Sequence, residues 1–350
     1  MASRERVRAL LDGQLPDRPP YFDLVRNDAV ISHFAGETLT LENAAEVVYR
    51  AVSRAVDGTR PAVRLPDAEG TETLPDGRAV RRFRWTTWTD KVSFTDTEAY
   101  AAWLRRSAEA PVGWSEQDEQ WARDVVRTHT DLEERLGDVG LVWGCPCGEP
   151  LSGLCHHVGL EQFSYYLADC PDEIAACLEH GYARAVAIAR HFPFPAHVPA
   201  VFYGSDIALN TGPMFSPAYL RRHYFPGVKA VVDALHARGV KMVYHSDGNL
   251  MPILDDLAVC GIDALNPIEV IAGMDIREIH RRHPRLVMVG GIDVSQLLPF
   301  GTPAQIRDAV LRAIEDSEGR IMPGSSTELQ NSVPLENALA MIETVWGYRY

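Results

Sequence analysis

Residues 240–249, VKMVYHSDGN, join a short apolar run to a cluster of polar residues, and this pattern recurs along the second half of the chain. The apolar runs are Val139–Gly144, Pro199–Gly204, Val240–His245, Ile262–Asn266, Leu286–Gly290 and Gly319–Met322. Helix candidates of about 10–25 residues separate them, which is the spacing of βα units around a parallel sheet. The second half of the chain is therefore predicted to form repeated strand–helix units.

The helix candidates carry recognisable start and stop signals. Ser216 and Pro217 are typical of an N-cap and a first helical turn, and Gly239 is typical of a helix end. The last helix is predicted from about Pro334 to Val345, because apolar residues recur there at helical spacing.

The first third of the chain has a different pattern. Residues 1–12 are predicted to form a helix outside the main sheet, and 21–24 a first strand. Residues 79–96 alternate aromatic or β-branched side chains with polar ones, which predicts an antiparallel hairpin. We therefore expect an α/β fold, a (β/α)₈ TIM barrel with an antiparallel β insertion in its N-terminal third. The chain, 1–350, is predicted to be a single domain with 60–130 as the insertion region, and the absence of a Gly-rich phosphate loop argues against a doubly wound sheet.

Composition narrows the class of protein. The 350 residues include 34 Lys and Arg against 48 Asp and Glu, a net charge of −14, which argues against a nucleic-acid partner. No apolar stretch approaches the ~18 residues that a membrane span needs, and the charged N-terminal helix gives no indication of export. Six cysteines are too few for a disulfide scaffold. We expect a cytoplasmic protein without a membrane partner.

Polar residues follow the predicted strands directly. In a barrel these positions form the catalytic face, so we expect one pocket to collect a histidine and several carboxylates. They are Asp206, His245, Asp247, Glu269 and Asp293. Asp206 and Asp293 have an alternative role as helix caps, because Asp is favoured there.

A cysteine-containing segment also follows a strand. Residues 145–157 read CPCGEPLSGLCHH, and Cys145 and Cys147 are metal-capable residue types. Their spacing matches none of the standard zinc patterns, so pocket-lining thiols are the favoured interpretation.

Several of these segments together resemble the uroporphyrinogen decarboxylase superfamily. They are SRERVRALLDGQLPDRPPYF (3–22), GSDIALNTGPMFSPAYLRRHYFPGVK (204–229), HSDGN (245–249), GGID (290–293) and PLEN (334–337). The superfamily includes the decarboxylase of haem synthesis and methyltransferases that exchange methyl groups with corrinoid proteins or thiols. The resemblance thus implies the barrel fold, but the motifs do not select one reaction.

Departures from the family pattern restrict the chemistry. Thiol-activating methyltransferases of this group hold zinc with a His-x-Cys pair and a later Cys; here the pair is His245-Ser246-Asp247 and the later position is Thr327. Both sulfur ligands are missing, so a thiolate zinc site cannot form. The remaining candidate is an oxygen and nitrogen site, in which His245 and neighbouring carboxylates would bind zinc or another divalent metal ion. The decarboxylases have a histidine at the position of Thr327. They also carry an Arg-x-x-Gly-Arg loop, of which only Arg26 remains, so uroporphyrinogen itself is not expected as substrate.

The resulting hypothesis is a methyl (one-carbon) transferase that acts on a small methylated substrate, with a corrinoid protein as a candidate partner and a homodimer as the expected assembly. The catalytic candidates are His245, Asp247, Asp206 and Glu269, and the substrate-binding candidates are Arg26, Tyr203, Asp293, Cys145, Cys147 and Thr327. Neighbouring carboxylates are expected to outweigh burial and to favour the cationic form of His245, unless a metal ion binds the neutral form. The alternatives are a decarboxylase or related lyase and a barrel that binds a ligand without turnover, whose carboxylates would all be paired and unperturbed.

Overall fold

The computed structural model describes residues 1–350. Its helices are α1 (Ser3–Leu11), α2 (Asp28–Ala35), α3 (Ala44–Ala55), α4 (Thr97–Ala108), α5 (Glu116–Leu136), α6 (Pro150–Val158), α7 (Leu160–Asp169), α8 (Pro171–His191), α9 (Pro217–His223), α10 (Phe225–His236), α11 (Leu254–Cys260), α12 (Ile276–Arg282), α13 (Leu297–Phe300), α14 (Pro303–Asp316) and α15 (Leu335–Gly347). Short 3₁₀ turns lie at Met251–Ile253 and Val270–Ala272. None of these helices is long and apolar enough to span a membrane.

The strands are β1 (Val25–Arg26), β2 (Gly58–Thr59), β3 (Gly70–Thr73), β4 (Ala79–Arg82), β5 (Thr87–Thr89), β6 (Gly140–Leu141), β7 (Trp143–Gly144), β8 (Ala200–Gly204), β9 (Ala208–Leu209), β10 (Gly212–Pro213), β11 (Lys241–His245), β12 (Ala264–Asn266), β13 (Val287–Ile292), β14 (Ile321–Ser325) and β15 (Leu329–Gln330). Six of them form one sheet in the order β14-β13-β12-β11-β8-β7, and every pairing in it is parallel. Each predicted apolar run overlaps one of these strands, although β13 and β14 extend two and three residues beyond the predicted ends. The α/β prediction is therefore confirmed.

Parallel backbone contacts continue beyond this sheet. β2 pairs with β6, β1 pairs with β15, and Phe22 forms a parallel bridge with Gly58. The amide of Phe22 also donates to the carbonyl of Pro323 on β14 at 3.1 Å, so the first segment of the chain contacts the last strand of the sheet. This arrangement of parallel strands fits the predicted barrel.

The antiparallel region lies in β3, β4 and β5, which form a three-stranded sheet in that order. It begins upstream of the predicted hairpin, and residues 90–96 contain no strand. The strand at Gly70–Thr73 is exposed at every position, so it lacks the alternation that identifies a half-buried strand in a sequence.

Apolar residues of the fold divide into two main clusters. The smaller one joins α1 to one side of the strands through Val7, Leu10, Leu11, Phe22, Val142, Ala200, Val243, Ala264, Val287, Val289 and Met322. The larger one contains the opposite faces of the strands and the packed helices. Side chains of one strand alternate between the clusters, as a pleated strand requires: Val243 belongs to the smaller cluster and Tyr244 to the larger. Polar residues past the strand ends are thereby held on a packed framework.

Helix boundaries follow the local signals, with one interruption. Ser216 caps α9, because its hydroxyl accepts a hydrogen bond from the amide of Tyr219, and Pro217 occupies the first turn. The predicted continuous helix is broken at Tyr224, and α10 starts next to Pro226. Pro226 has no amide hydrogen to donate to the carbonyl four residues earlier, so the helix cannot continue through it without losing a hydrogen bond.

Candidate functional site

The carboxyl ends of neighbouring parallel strands bring three titratable side chains together. His245 ends β11, Asp247 follows it, and Asp206 follows β8, which pairs with β11. One ligand atom from each of the three side chains lies within 4.8 Å of the others. His245 is buried and Asp206 is largely exposed, so the group lies between the core and solvent.

The ring of His245 is held in one orientation by Asn266 at the end of the adjacent β12. Nδ1 of His245 lies 2.9 Å from Oδ1 of Asn266, whose Nδ2 donates to the carbonyl of Val289. Because the amide nitrogen is used there, Oδ1 accepts and the histidine Nδ1 donates. In the neutral ring Nε2 then has a free lone pair. This atom lies 3.5 Å from Oδ1 of Asp206.

The carboxylate of Asp247 is positioned from a distant part of the chain. The hydroxyl of Thr327 donates to Oδ1 of Asp247 at 2.8 Å. Thr327 has a φ of 80°, in the left-handed region that a β-branched residue rarely adopts. The hydrogen bond from Thr327 orients Asp247, and the substrate-binding role of Thr327 stays a prediction.

Glu269 and Asp293 also follow strands but make different contacts. Oε2 of Glu269 accepts from the amide of Gly248 at 2.6 Å, and burial together with Asp247, Asp293 and Asp206 raises its pKa despite that hydrogen bond. Asp293 accepts hydrogen bonds from the amides of residues 295, 296 and 297 and from the hydroxyl of Ser295. Burial opposes the ionisation of Asp293, but these hydrogen bonds lower its pKa on balance. Asp293 therefore caps the turn of residues 294–296 that leads into α13, which is close to the alternative role as a helix cap predicted from the sequence.

Arg60, directly after β2, is a site residue that the sequence analysis missed. Its guanidinium carbon lies 4.8 Å from the ring centroid of Phe202, and that ring is 5.0 Å from the ring of His245. The same strand-end rule that selected His245 would have selected Arg60. The two-residue strand before it has no apolar run, so the sequence did not reveal its position.

Arg60 changes the protonation expected for His245. Burial is the largest cause that lowers the pKa of His245, and the charge of Arg60 lowers it further, while Asp247, Asp206 and Asn266 oppose them. The pKa of His245 is therefore below its ordinary value, and the prediction of a favoured cation is wrong. The prediction expected the acidic neighbours to outweigh burial, and it did not include the charge of Arg60, which acts in the same direction as burial.

Two substrate-binding candidates lie outside the group formed by His245, Asp206 and Asp247. Arg26 forms an ion pair with Glu328, Nη1 to Oε2 at 2.5 Å, and it is close enough to Arg60 for its charge to disfavour the charge of that arginine. Tyr203 is buried in the larger apolar cluster, on the opposite face of its strand from Phe202. These two residues are not brought into the group formed by His245, Asp206 and Asp247.

Cys145 and Cys147 lie beside each other after β7 and are both free thiols. A hydrogen bond with Cys145 and burial raise the pKa of Cys147 well above its ordinary value, so its thiol stays protonated. The protonated thiol is a poor metal ligand. Asp206, His245 and Asp247 are the one group of three metal-capable side chains in the structure, and it contains neither cysteine.

A network of buried polar side chains lies next to Asp206, centred on Glu149. Glu149 caps α6 and accepts from the amides of Leu151 and Ser152 and from the hydroxyl of Tyr182 at 2.7 Å. Ser205, next to Asp206, contacts the Tyr224 hydroxyl and donates to Glu149 over 3.4 Å. Burial raises the pKa of Glu149 although these hydrogen bonds oppose it. The network fixes the chain that carries Asp206.

A cavity of about 490 Å³ opens beside Asp206. Its lining includes Lys91, His156, Ser152, Asp206 and Met214. Nζ of Lys91 lies 3.2 Å from both ring nitrogens of His156. The cavity is large enough for a small molecule and shares Asp206 with the histidine–carboxylate group.

A family model described as uroporphyrinogen decarboxylase (URO-D) matches residues 132–348, more than half of the chain. The chain belongs to this family. The matched range contains Asp206, His245, Asp247 and Glu269. The superfamily resemblance of the sequence motifs is therefore confirmed.

Two curated proteins are similar to part of this chain. Both are methylcobamide:CoM methyltransferase MtbA, from Methanosarcina acetivorans at 24% identity and from Methanosarcina mazei at 26% identity, each over 132 residues. Each match covers 38% of this chain and 38% of the relative's length. This URO-D family member thus resembles these methyltransferases over little more than a third of their length.

A solved structure of a methyltransferase from Methanosarcina mazei has a similar fold. It superposes with a TM-score of 0.67 at 18% sequence identity and covers 99% of this chain and 98% of its own. The likeness extends over the whole chain, including the N-terminal third that the family model does not match.

Proposed function

We propose that this URO-D family member is a methyltransferase that removes a methyl group from a small methylated substrate and passes it to a nucleophilic acceptor. The observation that carries the proposal is the convergence of His245, Asp206 and Asp247 at the carboxyl ends of β8 and β11. Enzymes with parallel (β/α)₈ barrels carry their reactive groups at that face. The similarity to methylcobamide:CoM methyltransferases supports this reaction class.

The proposal includes a closed barrel. In it, the segment containing Phe22 completes the ring between β14 and β2, and 1–350 form a single domain with 60–130 inserted. The hydrogen bond from Phe22 to Pro323 and the bridge from Phe22 to Gly58 support this closure. A closed ring would bring the ends of all strands around one mouth, where Arg60 and His245 both lie against Phe202.

The three converging side chains fit a divalent metal ion such as zinc. Nε2 of His245 and carboxylate oxygens of Asp206 and Asp247 would hold it, and one imidazole with two carboxylates is a suitable donor set. Bound there, the ion would act as a Lewis acid on an oxygen of the substrate. Since this donor set is harder than a set of two thiolates, a methyl ether suits the site better than a methyl thioether.

The chain's own residues prepare this group for the reaction. Asn266 fixes the ring of His245 so that Nε2 faces Asp206, and the lowered pKa keeps that nitrogen unprotonated. Thr327 orients Asp247. Burial raises the pKa of Glu269, which favours its protonated form more than in an exposed carboxyl group, and we assign the proton donor's role to it.

The reaction of a methyl ether balances with one proton. The bond between the ether oxygen and the methyl carbon breaks, and the methyl group bonds to the acceptor. The oxygen that leaves with the electron pair takes the proton from Glu269, which gives an alcohol. The acceptor is a nucleophile outside this chain, and we propose the cobalt of a reduced corrinoid protein.

The non-catalytic alternative predicts carboxylates that are all paired and unperturbed. No arginine or lysine lies within 4.0 Å of Asp206, and the pKa of Glu269 is raised. Neither residue matches that expectation, so the catalytic interpretation is favoured.

The test is transfer of a methyl group to free cob(I)alamin, followed through the absorbance of methylcobalamin. Methyl ethers, methylamines and methyl thioethers are supplied in turn, with the Asp206→Asn variant as the matched control. Transfer from one donor class by the wild type, strongly reduced in the variant, supports the proposal. Release of CO₂ from carboxylated compounds without methyl transfer would identify a decarboxylase instead.

A further inference from the structure

We propose that Arg60 binds a carboxylate or similar oxyanion of the substrate, so that the small molecule this site accepts is an anion. The inference rests on the proposed function for the location of the reacting methyl group. Anion binding at Arg60 is a separate property and can be measured without turnover.

The position of Arg60 places it beside the reactive group. Its guanidinium lies over one ring, Phe202, and His245 contacts the same ring. Nη2 of Arg60 lies 3.4 Å from the carbonyl of Thr327, the residue that orients Asp247. A ligand on Arg60 would therefore lie close to both His245 and Asp247.

Arg60 has unused hydrogen-bonding capacity. The long contact with the carbonyl of Thr327 is its one hydrogen bond, and no carboxylate oxygen lies within 4.0 Å of its nitrogens. A guanidinium carries five N–H donors in a planar fork that matches an oxyanion. By comparison, Arg18 forms two hydrogen bonds with the buried carboxylate of Asp57.

A second arginine adds to the positive charge. Arg26 is close enough to Arg60 for each charge to disfavour the other, and burial of Arg60 adds to that cost. Arg26 pairs with Glu328 through Nη1 only, and its Nε is buried without a hydrogen-bond partner. The two partly buried guanidiniums therefore have one carboxylate in direct contact between them, and it binds Arg26. An anion bound to Arg60 would give the second guanidinium a partner of its own.

A competing explanation is that Arg60 only balances the charges of Asp206 and Asp247. Both carboxylates lower the cost of its charge, although neither is in ion-pair contact. In that case Arg60 would support every ligand of the site equally. If Arg60 binds the substrate, its removal affects anionic ligands alone.

The test measures binding of two probes of nearly equal shape, methoxyacetate and the neutral methoxyacetamide, by calorimetry. We expect methoxyacetate to bind the wild type more tightly than the amide. Arg60→Gln should weaken methoxyacetate by about 10- to 100-fold, the value of hydrogen bonds to a charged group, and leave the amide unchanged. Arg60→Lys should restore part of the affinity because it keeps the charge. Arg64→Gln is the matched control, since Arg64 is an exposed arginine of the same segment.

Three results would overturn the inference. One is that Arg60→Gln weakens both probes alike, which would identify a balancing charge. Another is that Arg64→Gln weakens methoxyacetate as much as Arg60→Gln does. The third is that neither methoxyacetate, acetate nor benzoate binds a folded wild-type protein. If anions bind through Arg60 but no donor yields a methyl group, the proposed function fails and the inference stands.

Discussion

Thr327 donates a hydrogen bond to Asp247 across 80 residues of sequence, with 2.8 Å between the two oxygens. These are two of the positions at which thiol-activating relatives carry cysteine ligands. In this chain both positions carry oxygen instead of sulfur, and the hydrogen bond joins them. The proposed metal site therefore has a harder set of donors than two thiolates would supply.

Thr327→Val should distinguish the effect of the hydroxyl group from the effect of the backbone conformation at this position. Valine keeps the β-branch at the unusual φ of 80° but cannot orient Asp247. We expect turnover or metal affinity to fall by about 10- to 100-fold, the usual effect of removing a residue that supports a ligand. Thr327→Ser keeps the hydroxyl and should retain most of the activity. Equal activity of the valine and serine variants would show that this hydrogen bond has no role.

His245→Gln should lower turnover by about 10²-fold or more, because glutamine removes both proton transfer and the free Nε2. Thermal stability should change little, since a polar residue at a strand end contributes less packing than a core side chain. His191→Gln on the exposed end of α8 is the control for losing a histidine. A well-folded His245→Gln protein with full activity would remove this residue from the mechanism.

Much of the fold was predictable because buried parallel strands are continuous apolar runs. The runs ending at Gly204 and His245 coincide with β8 and β11, and the last helix begins one residue after Pro334. Strands of two residues, such as β2, have no such signal. The antiparallel sheet begins earlier in the chain than predicted for a related reason: the exposed strand β3 has no alternation of apolar and polar residues.

The sequence predicted which residues form the site, but it did not predict the hydrogen bonds and charges around them. Strand-end positions selected Asp206, His245 and Asp247, because parallel strands end at one edge. The same rule also selected Asp293, whose carboxylate accepts hydrogen bonds from the turn that leads into α13. The protonation of His245 depends on Arg60, which is 185 positions earlier in the numbering and reaches it only through the fold.

Glu149→Gln should alter how stability depends on pH. Burial raises the pKa of Glu149 from 4.5, so above pH 4.5 the unfolded chain releases this proton before the folded protein does. The wild type therefore loses stability as the pH rises toward the folded pKa, and the glutamine variant lacks this loss. In urea unfolding from pH 4 to 8, the free energy of unfolding of the wild type should fall relative to that of Glu149→Gln as the pH increases. A difference that is constant over this range would contradict the raised pKa.

Gly324→Ala tests the contact between β14 and the segment containing Phe22. A Cβ at Gly324 would lie 1.9 Å from the carbonyl oxygen of Phe22, which no small adjustment relieves. We expect a loss of about 2 kcal/mol or more in the free energy of unfolding. Gly153→Ala in α6 is the control, because nothing lies within 4 Å of the added methyl group. Equal stability of the two variants would contradict the proposed closure through Phe22.

The most direct test of the central claim, that His245, Asp206 and Asp247 form one metal-binding reactive centre, is zinc titration by calorimetry. Chelator-treated wild type is compared with His245→Gln, Asp247→Asn and Cys147→Ser. We predict one equivalent of zinc for the wild type and Cys147→Ser, and at least tenfold weaker binding for the other two. Unchanged zinc affinity in His245→Gln and Asp247→Asn, or its loss in Cys147→Ser, would contradict the account.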